Sequence, residues 1–469
     1  MLDEATTFLV FMFSLILLVV LMVFVRKLER EHFTPLSMWL LSWTALYALS
    51  MIFGSVYDYT LAGLSSMLFL IFAYAFGGIC AVQLLGIRKF KLEAPVKALR
   101  APIWIEPICI LAGLYGAFQL RSGFAEAGVG SGDFLSSAAA NAAALYSGQY
   151  VLPTTANIGY AMLMAGAYFS VLRFAVRRQS KLGAAFLALI VLTAMLWTFT
   201  TTTRIYTAMV VIWALCSFLA ASVINGTPIS LFNRKIVLRG LAVLAPLVFF
   251  ILLVQSIRLN KGGVGDLSDA FDHMRPWIGG TISAYSVWLD QTWDDDLSFG
   301  SYLFRAPLKM LGVETQDRFE ILRIGNGQYS NATTMLRAVI QDFGIFNGAL
   351  VLFALGFLSV KSYKDTLRGS YIGSVFLVVF YAIALFASNN WIFLYGSRIY
   401  AVIAMCGLVQ FVLWTNGWRA ERGLLYKPSF PPNRFKEARA ARESKVPFEG
   451  ARPLRRIPLR RFPEVRHER

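Results

Sequence analysis

The sequence predicts an all-α, polytopic integral membrane protein with about eleven transmembrane helices. Three observations carry that reading. The chain is 57% apolar and 15% charged over 469 residues, against about 45–50% and about 25% for soluble globular chains. Apolar runs of membrane-spanning length recur almost from end to end. The basic residues are sorted into alternate connections between those runs.

The runs lie at about 6–25, 37–56, 61–85, 102–120, 155–174, 182–200, 205–224, 240–257, 337–360, 371–388 and 399–416. Crossing the hydrocarbon takes roughly 20 apolar residues in a helix. Backbone groups in lipid must bond within their own segment, so each run is read as helical. The first run lacks a preceding basic region and a small-residue cleavage site. It reads as a retained span rather than a signal peptide.

Orientation follows from charge. Arg26-Lys27-Leu28-Glu29-Arg30, Arg88-Lys89-Phe90-Lys91, Arg173 to Lys181, Arg234-Lys235 and Lys361 to Arg368 occupy one set of connections. The opposite short connections hold little beyond Asp58, Arg121, Arg204 and Arg398. The positive-inside rule places the basic set in the cytoplasm and the N-terminus outside. An odd number of spans then brings residues 417–469 inside. From 418 to 469 there are 15 Lys/Arg against 6 Asp/Glu, with seven prolines and no apolar run. That composition cannot bury a core. Basic segments beside spans set topology and touch anionic lipid, so the charge of +17 points to the bilayer and not to nucleic acid.

Residues 1–416 thus form the membrane domain, with two long outer connections. Residues 121–154 are rich in Gly, Ala and Ser, with a helical stretch expected from Leu135 to Tyr146. Residues 259–336 carry ten acids against six or seven basic residues, together with Trp277, Tyr285, Trp288 and Trp293. A connection of that length has structure and function of its own. Its aromatics suit either carbohydrate stacking or an interfacial belt.

Cys80, Cys109, Cys216 and Cys406 sit singly in apolar runs and read as small hydrophobes. His32, His273 and His467 are too scattered for a zinc motif. P-loop, GxGxxG, HExxH and GxSxG patterns are missing from the sequence, and Asp342-Phe343-Gly344 lacks the other kinase motifs. No cofactor and no metal site is expected. Asp294-Asp295-Asp296 reads as an acidic surface turn.

The informative feature is a set of outer arginines. Arg204 follows four threonines, Arg258 ends a span, Arg275 and Arg305 lie in the large loop, Arg337 near its end, and Arg398 follows Tyr395-Gly396-Ser397. Topology disfavours cations on this side. Snorkelling or an ion pair explains any one of them. Together, Arg204, Arg258 and Arg398 suggest phosphate or pyrophosphate binding, because the planar guanidinium stays charged and donates two parallel hydrogen bonds. Asp342 is expected to open an apolar helix, either as its N-cap or as a carboxylate stabilised by the helix dipole.

Thr203-Arg204 at a span end, Arg258 opening a long outer loop, Asn331-x-Thr333-Thr334, and Asp342-Phe343-Gly344-x-x-x-Gly348 at a span start resemble the bacterial oligosaccharide repeat-unit polymerases, the O-antigen and exopolysaccharide polymerases. The resemblance covers most of 1–416 and is specific mainly over 325–360. It implies a metal-independent membrane glycosyltransferase in the bacterial inner membrane. Its substrates would be polyprenyl-pyrophosphate-linked oligosaccharides, joined on the periplasmic face, with a chain-length regulator as a further partner. Arg204, Arg258 and Arg398 would hold pyrophosphate, with Arg275, Arg305 and Arg337 as further cations. Asp342 and His273 are the candidate bases. Asn331, Tyr285 and Tyr329 would contact sugar hydroxyls or phosphate. An O-antigen ligase-like transferase and a non-catalytic flippase or transporter are the competing expectations.

Overall fold

The computed structural model describes residues 2–421 apart from 30–32, 54–55, 87–100, 130–133, 148–149, 177–180, 202, 227–233, 260–265, 292, 294–295, 314–320 and 331–333. The helices are α1 (Glu4–Glu29), α2 (Pro35–Phe53), α3 (Leu61–Leu84), α4 (Ile105–Glu126), α5 (Phe134–Ser147), α6 (Thr154–Val176), α7 (Lys181–Thr201), α8 (Ile205–Ile224) and α9 (Arg234–Leu259). After them come α10 (Leu267–Ile278), α11 (Thr281–Gln291), α12 (Arg305–Met310), α13 (Met335–Leu367), α14 (Tyr371–Phe386) and α15 (Gly396–Glu421). One antiparallel hairpin, β1 (Leu322–Gly325) and β2 (Gln328–Ser330), interrupts them. The chain divides between Thr415 and Asn416 into two units.

Among the described residues, nine helices are long and apolar enough to cross a membrane: α1, α2, α3, α4, α6, α7, α8, α13 and α15. The architecture is therefore all-α and multi-pass. The two other expected spans fall on shorter apolar stretches. α9 has 26 residues with Pro246 inside it, and Ala245–Leu259 is its apolar stretch among the described residues. α14 has 16 residues, a rise of about 24 Å, short of the roughly 30 Å of hydrocarbon. The Ala-rich stretch is helical, as α5.

Lipid tails are as apolar as leucine, so burial of apolar surface alone does not draw helices together in a bilayer. Close van der Waals packing at small residues does. α3 and α13 cross with their backbones nearly touching. A Cβ on Gly77 would lie 1.9 Å from the Phe353 carbonyl oxygen, and one on Gly356 would lie 2.0 Å from that of Tyr74. Gly116 and Gly159 make the same kind of crossing between α4 and α6. Beside the α3–α13 contact, Trp39 stacks on Tyr74 with ring centroids 4.0 Å apart.

The buried acids of the bundle are hydrogen-bonded, and one of them meets a cation. Glu106 of α4, fully buried, accepts a two-pronged bond from Arg173 of α6, at 2.6 Å from Nε and 2.9 Å from Nη2. Glu29 at the end of α1 accepts the hydroxyls of Thr34 and Ser37 and so fixes the entry to α2.

The large loop is structured in the described residues. Asp266 caps α10 by accepting the Ser268 N–H at 2.8 Å. α11 packs on α3, where the Ser286 hydroxyl accepts the Thr60 N–H at 2.9 Å. The hairpin turns on Asn326-Gly327, both at positive φ, as a two-residue Asn-Gly turn requires. Its Ile324 carbonyl accepts the Asp58 N–H at 2.8 Å.

The crossing at Gly77 and Gly356 yields a direct test. Gly77→Ala or Gly356→Ala forces the two backbones apart and lowers stability by about 1–3 kcal/mol, the usual cost of overpacking. Thermal unfolding in detergent measures it. An equal substitution at Gly407, where nothing lies within 4 Å of a new Cβ, leaves the midpoint in place.

Candidate functional site

Three chain segments converge at the ends of α7 to α10. Arg204 sits between α7 and α8, in the short link that the run of threonines makes. Arg258 is in the last turn of α9. α10 packs against α9. Its His273 and Trp277 are four residues apart and so share a face. The Arg204 guanidinium lies over the Trp277 ring, 5.6 Å from its centroid. His273 is exposed, yet its proton affinity falls below the ordinary value of 6.5. Partial desolvation is the largest cause, and the positive charges of Arg204 and Arg258 add to it. Desolvation and both arginines therefore favour the neutral form of this imidazole. A neutral imidazole can accept a proton, and the cations beside it can stabilise an anion.

Arg398 forms a neighbouring group. It lies at the start of α15, 2% exposed. Its Nη1 donates to the Ile392 carbonyl at 2.7 Å. Its guanidinium faces the rings of Tyr395 at 4.7 Å and Phe386 at 4.9 Å. The phenols of Tyr160 and Tyr206 interact with it electrostatically. Tyr206 is two residues from Arg204 and accepts the Tyr160 hydroxyl on its carbonyl at 2.7 Å. One end of the bundle thus carries Arg204, Arg258, His273 and Arg398.

The other expected residues go elsewhere. Arg275 stands two positions from His273 and so points away from it. It lies over Phe53, 6.0 Å from the centroid, and 3.6 Å from Asp272. It also lies near enough to Tyr57 to offset in part the rise that burial gives that phenol. Arg337 is at a span start, as expected, but faces inward. It is 2% exposed in the first turn of α13, over the Trp288 ring at 4.9 Å. Tyr285 is fully buried against α3, its hydroxyl 3.0 Å from that of Ser66. That position removes it from the loop surface, where a sugar would be met. Tyr329 is 59% exposed on β2, opposite Arg323. Arg305 begins α12, half-buried. Asn331 lies outside the described residues, as do Asp294 and Asp295. Among the described residues, no three His, Cys, Asp or Glu side chains gather where they could hold a metal ion.

Asp342 does not open its helix. α13 starts seven residues earlier, at Met335, and bends at Gly344, whose φ of 73° and ψ of 175° are non-helical. The long apolar run begins after that bend. Asp342 is fully buried on its near side, where its two oxygens accept the N–H groups of Tyr302 at 3.0 Å and Leu303 at 2.7 Å. The neighbouring Gln341 carbonyl accepts the Ser298 N–H at 2.9 Å. Trp391 completes the clamp by donating to the Leu303 carbonyl at 2.8 Å. The carboxylate holds the 298–304 turn in place.

Residues that the sequence did not single out are Tyr160, Tyr206 and Tyr395 around Arg398, and Gln255. Gln255 is one turn before Arg258 on α9 and 1% exposed, and neither end of its amide is hydrogen-bonded among the described residues. The available signal was local: an aromatic or amide within one turn of a span-end arginine.

The chain has no significant match among protein-family models, curated proteins or solved structures.

Two measurements test this geometry. With only three histidines in the chain, the imidazole of His273 can be followed by NMR. Its midpoint falls below 6.5, and Arg204→Ala or Arg258→Ala moves it up toward the ordinary value. Asp342→Ala strands two buried N–H groups and costs about 1–3 kcal/mol for each, read as thermal stability and as faster proteolysis at 298–304.

Proposed function

We propose that this protein is a membrane glycosyltransferase that polymerises polyprenyl-pyrophosphate-linked oligosaccharide repeat units on the outer face of the cytoplasmic membrane. The observation that carries this reading is the shared action of Arg204 and Arg258 on the neutral imidazole of His273. Arg398 at the same end of the bundle adds a third cation. The sequence resemblance to the repeat-unit polymerases and the sorting of basic connections to the opposite side support it further.

In this reading the growing glycan is the donor, bound through its anomeric carbon to the lipid pyrophosphate. An acceptor sugar hydroxyl attacks that carbon. The new C–O bond forms as the bond to pyrophosphate breaks, and the hydroxyl proton passes to His273. The lipid pyrophosphate leaves with the bonding electron pair. Arg204 and Arg258 stabilise the charge that gathers on it. Arg398 holds the second pyrophosphate. The leaving group is already a good one, so positioning and charge are the main requirements placed on the protein.

Reconstitution with a purified lipid-pyrophosphate repeat unit, without nucleotide or added metal, yields a glycan ladder. Arg204→Ala, Arg258→Ala and Arg398→Ala each remain folded and lose about 10²–10³ in rate, as expected for removing one donor to a developing anion. Normal chain growth in all three variants refutes the site. Movement of the unit across the bilayer without any ladder identifies a flippase instead.

A further inference from the structure

The segment after α11 has a use that the proposed chemistry leaves untouched. Residues 297–313 show two opposite faces. Tyr302, Leu303 and Ala306 are each 5% exposed and point into the protein. Phe299 is 82% exposed, Phe304 54%, Leu311 78% and Val313 47%. Exposing that much apolar surface to water is unfavourable by roughly 25 cal/mol per Å². Phe299 also has a φ of 44°, a conformation that a bulky side chain rarely adopts. Such strain persists where the surroundings over-determine it. Here they do: Asp342, Gln341 and Trp391 all bind the backbone of this turn.

The same bonds fix the height of the turn along the membrane normal. Asp342 and Gln341 stand just before Gly344, where α13 bends into its apolar run. The Leu297 side chain comes within 3.7 Å of where a Cβ on Gly344 would be. On the far side of the bend, Phe346 is 81% exposed and Leu350 68%, side chains that only lipid can cover in a spanning helix. The turn and the exposed start of the span are therefore neighbours. Arg305 and Lys309 sit four residues apart on α12, between the apolar positions, and suit the phosphates of lipid headgroups.

We infer that residues 298–313 form an in-plane anchor that inserts Phe299, Phe304 and Leu311 into the outer leaflet beside α13, with Arg305 and Lys309 at the headgroups. The occupant of this surface is the hydrocarbon of the bilayer itself. The anchor stands on the fold alone and holds whether or not the protein is a polymerase.

The test places a bimane probe at Phe299→Cys or Leu311→Cys of the full chain, in a background with the four native cysteines replaced, in lipid nanodiscs. Doxyl groups on the lipid chains quench both probes more strongly than aqueous iodide does. A probe at Gln328→Cys, exposed on β2, behaves the opposite way. For the wild-type chain, lipids bearing a diazirine on the acyl chain crosslink to the peptide covering 297–313. Strong iodide quenching without doxyl quenching at 299 and 311 overturns the anchor. So does the absence of lipid adducts from 297–313 while the spans are labelled, or crosslinks that join this segment to a second copy.

Discussion

Hydrocarbon offers no partner to a backbone N–H or carbonyl, and the whole molecule follows from that constraint. Each segment that enters the membrane must satisfy its backbone internally, which makes it a helix. Polar backbone and charged side chains are left at the helix ends. The chain can therefore build chemistry cheaply only where spans terminate, and Arg204, Arg258 and Arg398 all stand within a turn of such an end. Their spacing is set by how closely the helices beneath them approach, which is why bare glycines matter as much here as charged residues.

The loop beside the candidate site is tied to the bundle both by hydroxyl-to-backbone bonds and by the buried apolar side chains of α11. Ser283, Ser286 and Thr60 join α11 to the start of α3. Asp342 of α13 and Trp391, in the link between α14 and α15, hold the next turn from two sides. A loop fixed at several points in this way, with Ile282, Tyr285 and Trp288 buried beneath it, keeps its shape. It can then present side chains such as Trp277 and His273 in fixed positions toward cations that come from other segments.

How much of this the sequence showed depends on the range of the forces involved. Spans are local: a run of apolar residues declares itself, and the boundaries near 205, 224 and 335 emerged within a few residues. The Ala-rich α5 was legible for the same reason. α14 was harder, because its run is apolar enough but its helix has only 16 residues. Residue roles were less legible, since partners lie far away in sequence. Asp342 looked like a helix opener because an acid before an apolar run usually is one. Its true partners, the Tyr302 and Leu303 amides, are about forty residues upstream. Arg337 was placed at a span end, but nothing nearby announces Trp288 as its neighbour. Arg204, Arg258 and His273 were each named, but their convergence depends on α10 folding back on α9.

Glu106 and Arg173 have a consequence for how the protein is made. Each would be an unneutralised charge if its helix stood alone in lipid, at a cost of a few kcal/mol or more. Together they form a two-pronged ion pair, with Arg173 also bonded to the Ala101 and Pro102 carbonyls. α4 leaves the ribosome well before α6 does. Until α6 arrives, α4 lacks the partner of its one buried acid, so the two helices depend on each other in the bilayer.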